Sequence, residues 1–248
     1  VVVESIEKRE VRVVREFIGT TEGEIDADVR SQVSGYLLAR QYKEGTLVKA
    51  SQPLFEIDAR PFRATLDQAR GELARAEAVR AKARQDVARF TPLAREGAVS
   101  QQELDNAVQS ARAGEASVEA ARAVVAKARV ELDFTRIVSP IDGLVGVANA
   151  QIGDLVDPAR PQPLTTVSKI DPIVVATPIS EREYLRIAAK IRESLGQGPS
   201  TEGGPRLELV LADGSVHPHE GHVAVVGREV DPTTGTILLK SAFPNPDL

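Results

Sequence analysis

Cysteine and methionine are absent from the 248 residues, and aromatic side chains make up only 4% of them. Without cysteine there are no disulfides and no thiolate metal sites, a composition compatible with an oxidising compartment. So few rings leave no stacking platform for nucleic-acid bases. Positive charge is also scarce: 31 Lys and Arg against 36 Asp and Glu give a formal charge of −5. That balance is the reverse of a nucleic-acid footprint, so no nucleic acid is expected as a partner. No stretch approaches the ~20 consecutive apolar residues of a membrane span. The first residues carry no signal-peptide pattern. With no initiating Met, we expect a longer precursor whose export signal or anchor precedes Val1. Catalytic constellations are missing too. No nucleophile elbow, Gly-rich phosphate loop or HExxH arrangement occurs, so we expect no enzyme and no cofactor.

What the chain does contain is a repeat, the first feature to seek in any sequence. Residues 35–58 and 143–168 follow one pattern. Gly35 and Gly45 stand as far apart as Gly143 and Gly153, and Val48 and Val156 each follow the second glycine by the same step. Pro53-Leu54 then corresponds to Pro163-Leu164, with a short insertion in the second copy. All four glycines are expected where a small sheet turns sharply or needs a positive φ. A repeat interrupted by a long insertion predicts two halves that close into one domain, with the insertion projecting from it.

The insertion, 61–133, is rich in Ala, Arg, Glu and Gln, which favour helix. Pro61 suits a first helical turn. Leu66, Ala69, Leu73, Ala76, Ala83, Val87 and Phe90 keep a 3,4 spacing, interrupted at Arg80. Leu104, Val108, Ala111, Val118, Val125 and Leu132 continue it, with interruptions at Glu115 and Arg122. Such spacing is a coiled-coil seam. Gly97 is a plausible residue just past the end of the first helix. Ser100 with Glu103 forms a capping box for the second, with Val99 and Leu104 as its hydrophobic staple. The prediction is an antiparallel helical hairpin with a tight tip at Gly97, Ala98 and Val99. Roughly 30 residues per helix at 1.5 Å each make it about 45 Å long.

The remainder is β-rich. Residues 10–18 read as a strand, as do 135–138 and 172–179. Ser180 with Glu183 is a second capping box, opening a short helix to about Leu195. Strands are expected at 206–211, 221–230 and 236–243, joined by an Asp213-Gly214 turn and the turn DPTTGT. Together with the N-terminal strand they suggest a small β-barrel. His217, His219 and His222 cluster in HPHEGH. Alternate residues of a strand share a face, which would suit Zn or Cu, but Pro218 and Gly221 favour a solvated turn. No metal site is assigned.

The two half-repeats resemble the biotinyl/lipoyl domain. In that family a lysine between the halves carries the cofactor; here that place reads Ala59-Arg60-Pro61, so a carrier function is the weaker alternative. A lipoyl domain split by a coiled-coil hairpin resembles the periplasmic adaptors, or membrane fusion proteins, of tripartite efflux pumps. LADGSVHPHEG, VDPTTGT and FPNPD resemble the β-barrel segments of adaptors serving resistance-nodulation-division (RND) transporters. The fold class implied is α+β: an elongated chain of three modules. These are a β-barrel from 1–28 and 171–248 (with 1–9 a stub of a membrane-proximal domain), a lipoyl-like β-sandwich from 29–60 and 134–168, and an α-hairpin from 61–133. The resemblance also implies partners: an inner-membrane RND transporter, an outer-membrane channel and further copies in a ring. It implies a Gram-negative periplasm, with anchoring to the inner membrane by a lipid or segment outside this chain. A type I secretion or heavy-metal efflux adaptor is the alternative within the same architecture. One motif of the family, Arg-x3-Leu-x6-Ser at the hairpin tip, falls on Arg89, Leu93 and Ser100 and implies docking on the channel.

Overall fold

The computed structural model describes residues 14–196 and 207–247. The chain separates into two compact units, with divisions after Asp26 and after Val167.

The unit spanning Ala27–Val167 is built on the repeat. Its strands are β2 (Gly35–Arg40), β3 (Leu47–Val48), β4 (Pro53–Ile57), β5 (Arg136–Val138), β6 (Gly143–Val145) and β7 (Leu155–Val156), after the end of β1 (Thr20–Val29) and before the bulk of β8 (Thr165–Ser180). One sheet has the order β5-β4-β2-β7; in the other, β3 pairs β6, which neighbours β8. The halves exchange strands with matching register. Gly35 faces Val156 and Tyr36 faces Leu155, while Gly143 faces Val48 and Leu144 faces Leu47. The bracing hydrogen bonds match as well: Gly153 N–H donates to the Leu37 carbonyl at 2.8 Å, and Gly45 N–H to the Val145 carbonyl at 2.9 Å. Both halves fill one core. Leu37, Val48, Leu54, Phe55 and Ile57 meet Ile137, Val145, Val156, Leu164 and Val167 there, nearly all of them fully buried. Around buried Leu37 in β2 the neighbours Tyr36 and Leu38 are exposed, as alternation along a half-buried strand requires, whereas β4, whose pairing with both neighbours shifts register, buries Leu54, Phe55 and Ile57.

The glycines divide into two kinds. Gly45 (φ +70°) and Gly153 (φ +96°) lie in the left-handed region, which a side chain would strain. Gly35 and Gly143 instead open strands β2 and β6, so the expectation of a turn at these two is corrected. Gly35 is needed for space, because a Cβ there would sit 2.5 Å from Ile57 Cγ2.

The other unit holds the start of β1, most of β8, α3 (Glu181–Gly196), β9 (His222–Asp231) and β10 (Thr236–Phe243). β10 lies between β8 and β9, antiparallel to both, and β1 pairs β8. Ile179, Val223 and Leu239 form its core, with Tyr184 and Ile187 of α3 packed on them. Ser180 caps α3: its hydroxyl accepts from Glu183 N–H at 3.3 Å. Three expectations change. Residues 14–18 precede β1 and form no strand, while 1–13, including the expected stub, lie outside the described residues. The strand expected from 172 begins at Thr165 and runs unbroken to Ser180. The segment after Leu207 pairs only through two isolated bridges, Leu207 with Gly221 and Val210 with Val216. The second closes a tight turn in which the Asp213 carboxylate accepts from Ser215 N–H and Oγ at 2.9 and 2.6 Å, leaving little chain to pair.

Candidate functional site

The insertion forms two helices, α1 (Arg60–Arg95) and α2 (Gln101–Asp133). At 1.5 Å per residue α1 is about 54 Å long. The pair leaves the sandwich from β4 and returns into β5, which are hydrogen-bonded neighbours. Asp58 starts it. Its carboxylate accepts from Arg60 N–H at 3.0 Å and pairs with the Arg60 guanidinium at 2.6 Å. These contacts hold the Asp58 carboxyl down at about 2.

The seam is more regular than its large residues suggested. On α2 the inward positions are Leu104, Ala107, Ala111, Gly114, Val118, Ala121, Val125, Ala128 and Leu132, in unbroken 3,4 steps, and Ala107, Gly114, Val118 and Ala128 are buried. Gly114 and Ala121 therefore fill the places where Glu115 and Arg122 had read as interruptions, and Ala107 replaces Val108. On α1, Leu66, Ala69 and Ala83 are buried, and Arg80 is half-buried in the seam. Leu66 and Ala69 pack with Ala128, Val125 and Leu132 near the sandwich. At mid-length the helices approach closely, since a Cβ on Gly114 would lie 3.1 Å from Arg80 Cα. Arg80 keeps its apolar stem in the seam, and its Nε is buried without a hydrogen-bond partner. Beside it Arg84 ties the helices together through Glu115, holding that carboxyl below its ordinary range. Arg122 reaches Glu77 at 3.8 Å. Sequence reading missed Gly114, Ala121 and these cross-helix pairs; the signal for the first two was the seven-residue step 107, 114, 121, 128.

At the tip, Gly97 adopts φ +74° just past the end of α1, and Ala98 N–H donates to the Leu93 carbonyl at 2.9 Å. Ser100 caps α2 through a full capping box. Glu103 N–H donates to Ser100 Oγ at 3.2 Å, and Ser100 N–H to Glu103 Oε2 at 2.9 Å. The Ser100 N–H, with the Ser100 hydroxyl donating to the same oxygen at 3.0 Å, lowers the Glu103 carboxyl below its ordinary range. Val99, Leu104 and Leu93 are half-buried, while Gly97, Ala98 and Ser100 are exposed. Arg89 is exposed and pairs with Asp86 at 2.6 Å. Its guanidinium lies 5.9 Å from the Phe90 ring centre. Arg89, Leu93 and Ser100 thus occupy successive levels of the free end of the hairpin. That end presents one exposed guanidinium, one half-buried leucine side chain and one exposed hydroxyl.

The histidines do not assemble a site. His217 Nε2 lies 2.7 Å from the Pro244 carbonyl, its ring stands 5.8 Å from that of His219, and His222 opens β9. Among the described residues no group of three or more His, Cys, Asp or Glu side chains could hold a metal ion. Nor is any described helix long and apolar enough to cross a membrane.

Residues 65–135 match the family model described as the RND membrane fusion protein α-helical hairpin domain, and residues 172–248 match the corresponding β-barrel domain. The multidrug export protein AcrE of Escherichia coli is 36% identical over 246 residues, covering 99% of this chain and 63% of AcrE. The multidrug efflux pump subunit AcrA of Escherichia coli is 36% identical over 243 residues, covering 98% of this chain and 61% of AcrA. The chain therefore spans about three fifths of the length of these relatives. In fold it is similar to the crystal structure of a MacA–MexA chimera carrying the Pseudomonas aeruginosa MexA α-hairpin domain. The TM-score is 0.64 at 24% identity, covering 92% of this chain and 72% of that one. With a split lipoyl-like sandwich, a long capped hairpin and both family domains in one sequence, the chain belongs to the RND membrane fusion proteins.

Proposed function

We propose that this chain is the adaptor region of a multidrug efflux system. It links an RND transporter of the inner membrane to a channel of the outer membrane in the periplasm of a Gram-negative bacterium. Its work is mechanical, and three modules divide it: 1–28 with 171–248 faces the transporter, 29–60 with 134–168 forms the sandwich, and 61–133 reaches the channel. Further copies of the chain complete the conduit.

The observation that carries this reading is the free end of the hairpin. A helix pair about 50 Å long ends in a rigidly capped tip that presents Arg89, Leu93 and Ser100. Arg89 supplies planar, fork-like donors for carbonyl or carboxylate oxygens, Leu93 an apolar knob, and Ser100 a hydroxyl already fixed by its cap.

Arg89→Asp tests the assignment. Arg89 is exposed and outside the seam, so folding and abundance should be unchanged. Removing one partner of a desolvated charge contact costs ~2–5 kcal/mol. Crosslinking of the tip to the channel should therefore fall, and drug susceptibility should rise at equal adaptor abundance. If crosslinking and resistance both survive the reversal, tip docking is refuted.

A further inference from the structure

An α-helix ends with its last four carbonyls short of a helical donor. The end of α1 closes most of these for itself: the Pro92, Leu93 and Ala94 carbonyls accept from Glu96, Ala98 and Gly97 N–H at 3.2, 2.9 and 3.2 Å. One turn earlier the sequence opens a carbonyl instead. Pro92 lies inside α1 and has no N–H. The Ala88 carbonyl, four residues before it, therefore has no helical donor.

The neighbouring donors are engaged elsewhere. Thr91 Oγ1 donates to the Val87 carbonyl at 2.7 Å, and the Arg89 guanidinium to Asp86 at 2.6 Å. The open carbonyl also faces away from the seam. Ala88, Arg89 and Pro92 are exposed, whereas Val87, Phe90 and Leu93 are half-buried. Ala88 and Pro92 stand one turn apart on the same side of the helix, so the oxygen between them points outward, next to Arg89 and short of Leu93 along the axis. Exposed, such an oxygen is served by water. At a contact that excludes water, an unmatched acceptor weakens binding and a matched one strengthens it.

We propose that Pro92 makes the Ala88 carbonyl a docking group: the channel segment that meets Arg89 also donates a hydrogen bond to this oxygen. The tip then offers donors from Arg89 and an acceptor from Ala88 side by side. It fits a partner edge that carries an acceptor and an N–H or O–H donor next to each other. An edge with carboxylates alone would satisfy Arg89 and leave Ala88 unmatched, which is how the pair discriminates between partners. The inference rests on the tip-docking reading and narrows the chemistry of the surface that the tip meets.

The test is crosslinking of the full-length protein in cells. Gln102→Cys places a thiol-directed photo-crosslinker on an exposed position in the first turn of α2, in a stretch of 248 residues that has no other cysteine. The crosslinked channel is identified by mass spectrometry from the parent. Pro92→Ala and Pro92→Leu each supply an N–H that closes the Ala88 carbonyl, and both should lower crosslinking about tenfold, the worth of one unmatched polar group at a contact. Thr91→Val removes a hydroxyl but leaves the Ala88 carbonyl open, and should crosslink as the parent does. Circular dichroism of the purified variants checks that each is folded. Arg89→Asp is the reference for docking itself. Loss with Arg89→Asp but with neither Pro92 variant overturns the inference and leaves tip docking standing. Loss with only one of the two Pro92 variants overturns it too, because the side chain at 92 and not the carbonyl is then read. Equal loss with Thr91→Val assigns the effect to the shape of the turn, and the carbonyl is again excluded. If no variant lowers crosslinking, Arg89→Asp included, tip docking fails and the inference with it.

Discussion

Gly114 of α2 offers a quantitative test of the hairpin seam, because Gly71 of α1 serves as its control. Gly71 and Gly114 both lie inside long helices, so alanine at either gains the same intrinsic propensity, about 0.8–1 kcal/mol. Their surroundings differ. A Cβ on Gly71 meets nothing within 4 Å; a Cβ on Gly114 meets Arg80 Cα at 3.1 Å and Arg80 Cβ at 3.4 Å. Ordinary carbon contacts lie near ~3.5–4.0 Å, and helix backbone cannot rotate away as a side-chain end would. The helices must part by a few tenths of an ångström, an overpacking cost of ~1–3 kcal/mol. Gly71→Ala should therefore stabilise the hairpin by nearly 1 kcal/mol, and Gly114→Ala should leave it unchanged or destabilise it by up to ~2 kcal/mol. Since ~1.4 kcal/mol is a factor of ten, amide hydrogen exchange in α1 and α2 of the intact chain should separate the two variants by about fivefold to a hundredfold, the span of that ~1–3 kcal/mol cost. Equal slowing of exchange in both would show that the close approach at Arg80 is absent, and the seam assignment would fail with it.

Three other outcomes follow from the same geometry. Ser100→Ala removes a hydroxyl that caps α2 and should cost about 1 kcal/mol, read as faster exchange confined to the first turn of α2. Asp58 is held at about 2 by Arg60, below the ~3.9 of an unfolded aspartate; its contribution is complete above the unfolded value and is lost as pH falls toward 2. Acid unfolding followed by circular dichroism should be shallower in that range for Asp58→Asn, and an unchanged acid limb would refute the role. Gly35→Ala would drive a methyl against the fully buried Ile57 and should lower thermal stability by ~1–3 kcal/mol, whereas a neutral effect would mean the β2–β4 contact is looser than it stands.

The repeat was legible because its markers are backbone requirements. Gly45 and Gly153 need a positive φ, and Val48 and Val156 must both point into the shared core, so spacing alone announced them. The tip was legible for the same reason: Ser100 with Glu103 and Gly97 are local stop and start signals whose chemistry needs no distant partner. The phase of the seam was not. A search for large apolar residues favours Val108 over Ala107 and counts Glu115 and Arg122 as flaws. The packing instead chose Ala107, Gly114, Ala121 and Ala128, because backbones this close admit only small side chains. Arg80 could look like a flaw on its own helix, since the glycine that accommodates its stem lies on the other one. The strand expected after residue 206 failed for a related reason: β propensity does not supply a partner, and the Asp213 turn leaves only single bridges.

The point of insertion explains how one chain carries both a sandwich and a long lever. Phe55 pairs with Ile137 and Glu56 with Arg136, so the hairpin enters and leaves through two adjacent strands, where a short β-turn would otherwise serve. Closing a longer connection costs only slowly increasing entropy, and the ordered coiled coil removes most of even that. The strand ends that hold the hairpin belong to different halves of the repeat. Those halves are interlocked by the exchange of β3 and β7. A force at the tip is therefore delivered to β4 and β5 together and resisted by the whole core around Phe55 and Ile137, not by one half peeling from the other. Asp58, Arg60 and the Leu66–Ala128 contact stiffen the root of that lever. A hairpin joined by a single strand to one half would lack this bracing, and for the tip docking proposed above this placement matters more than any single contact along the helices.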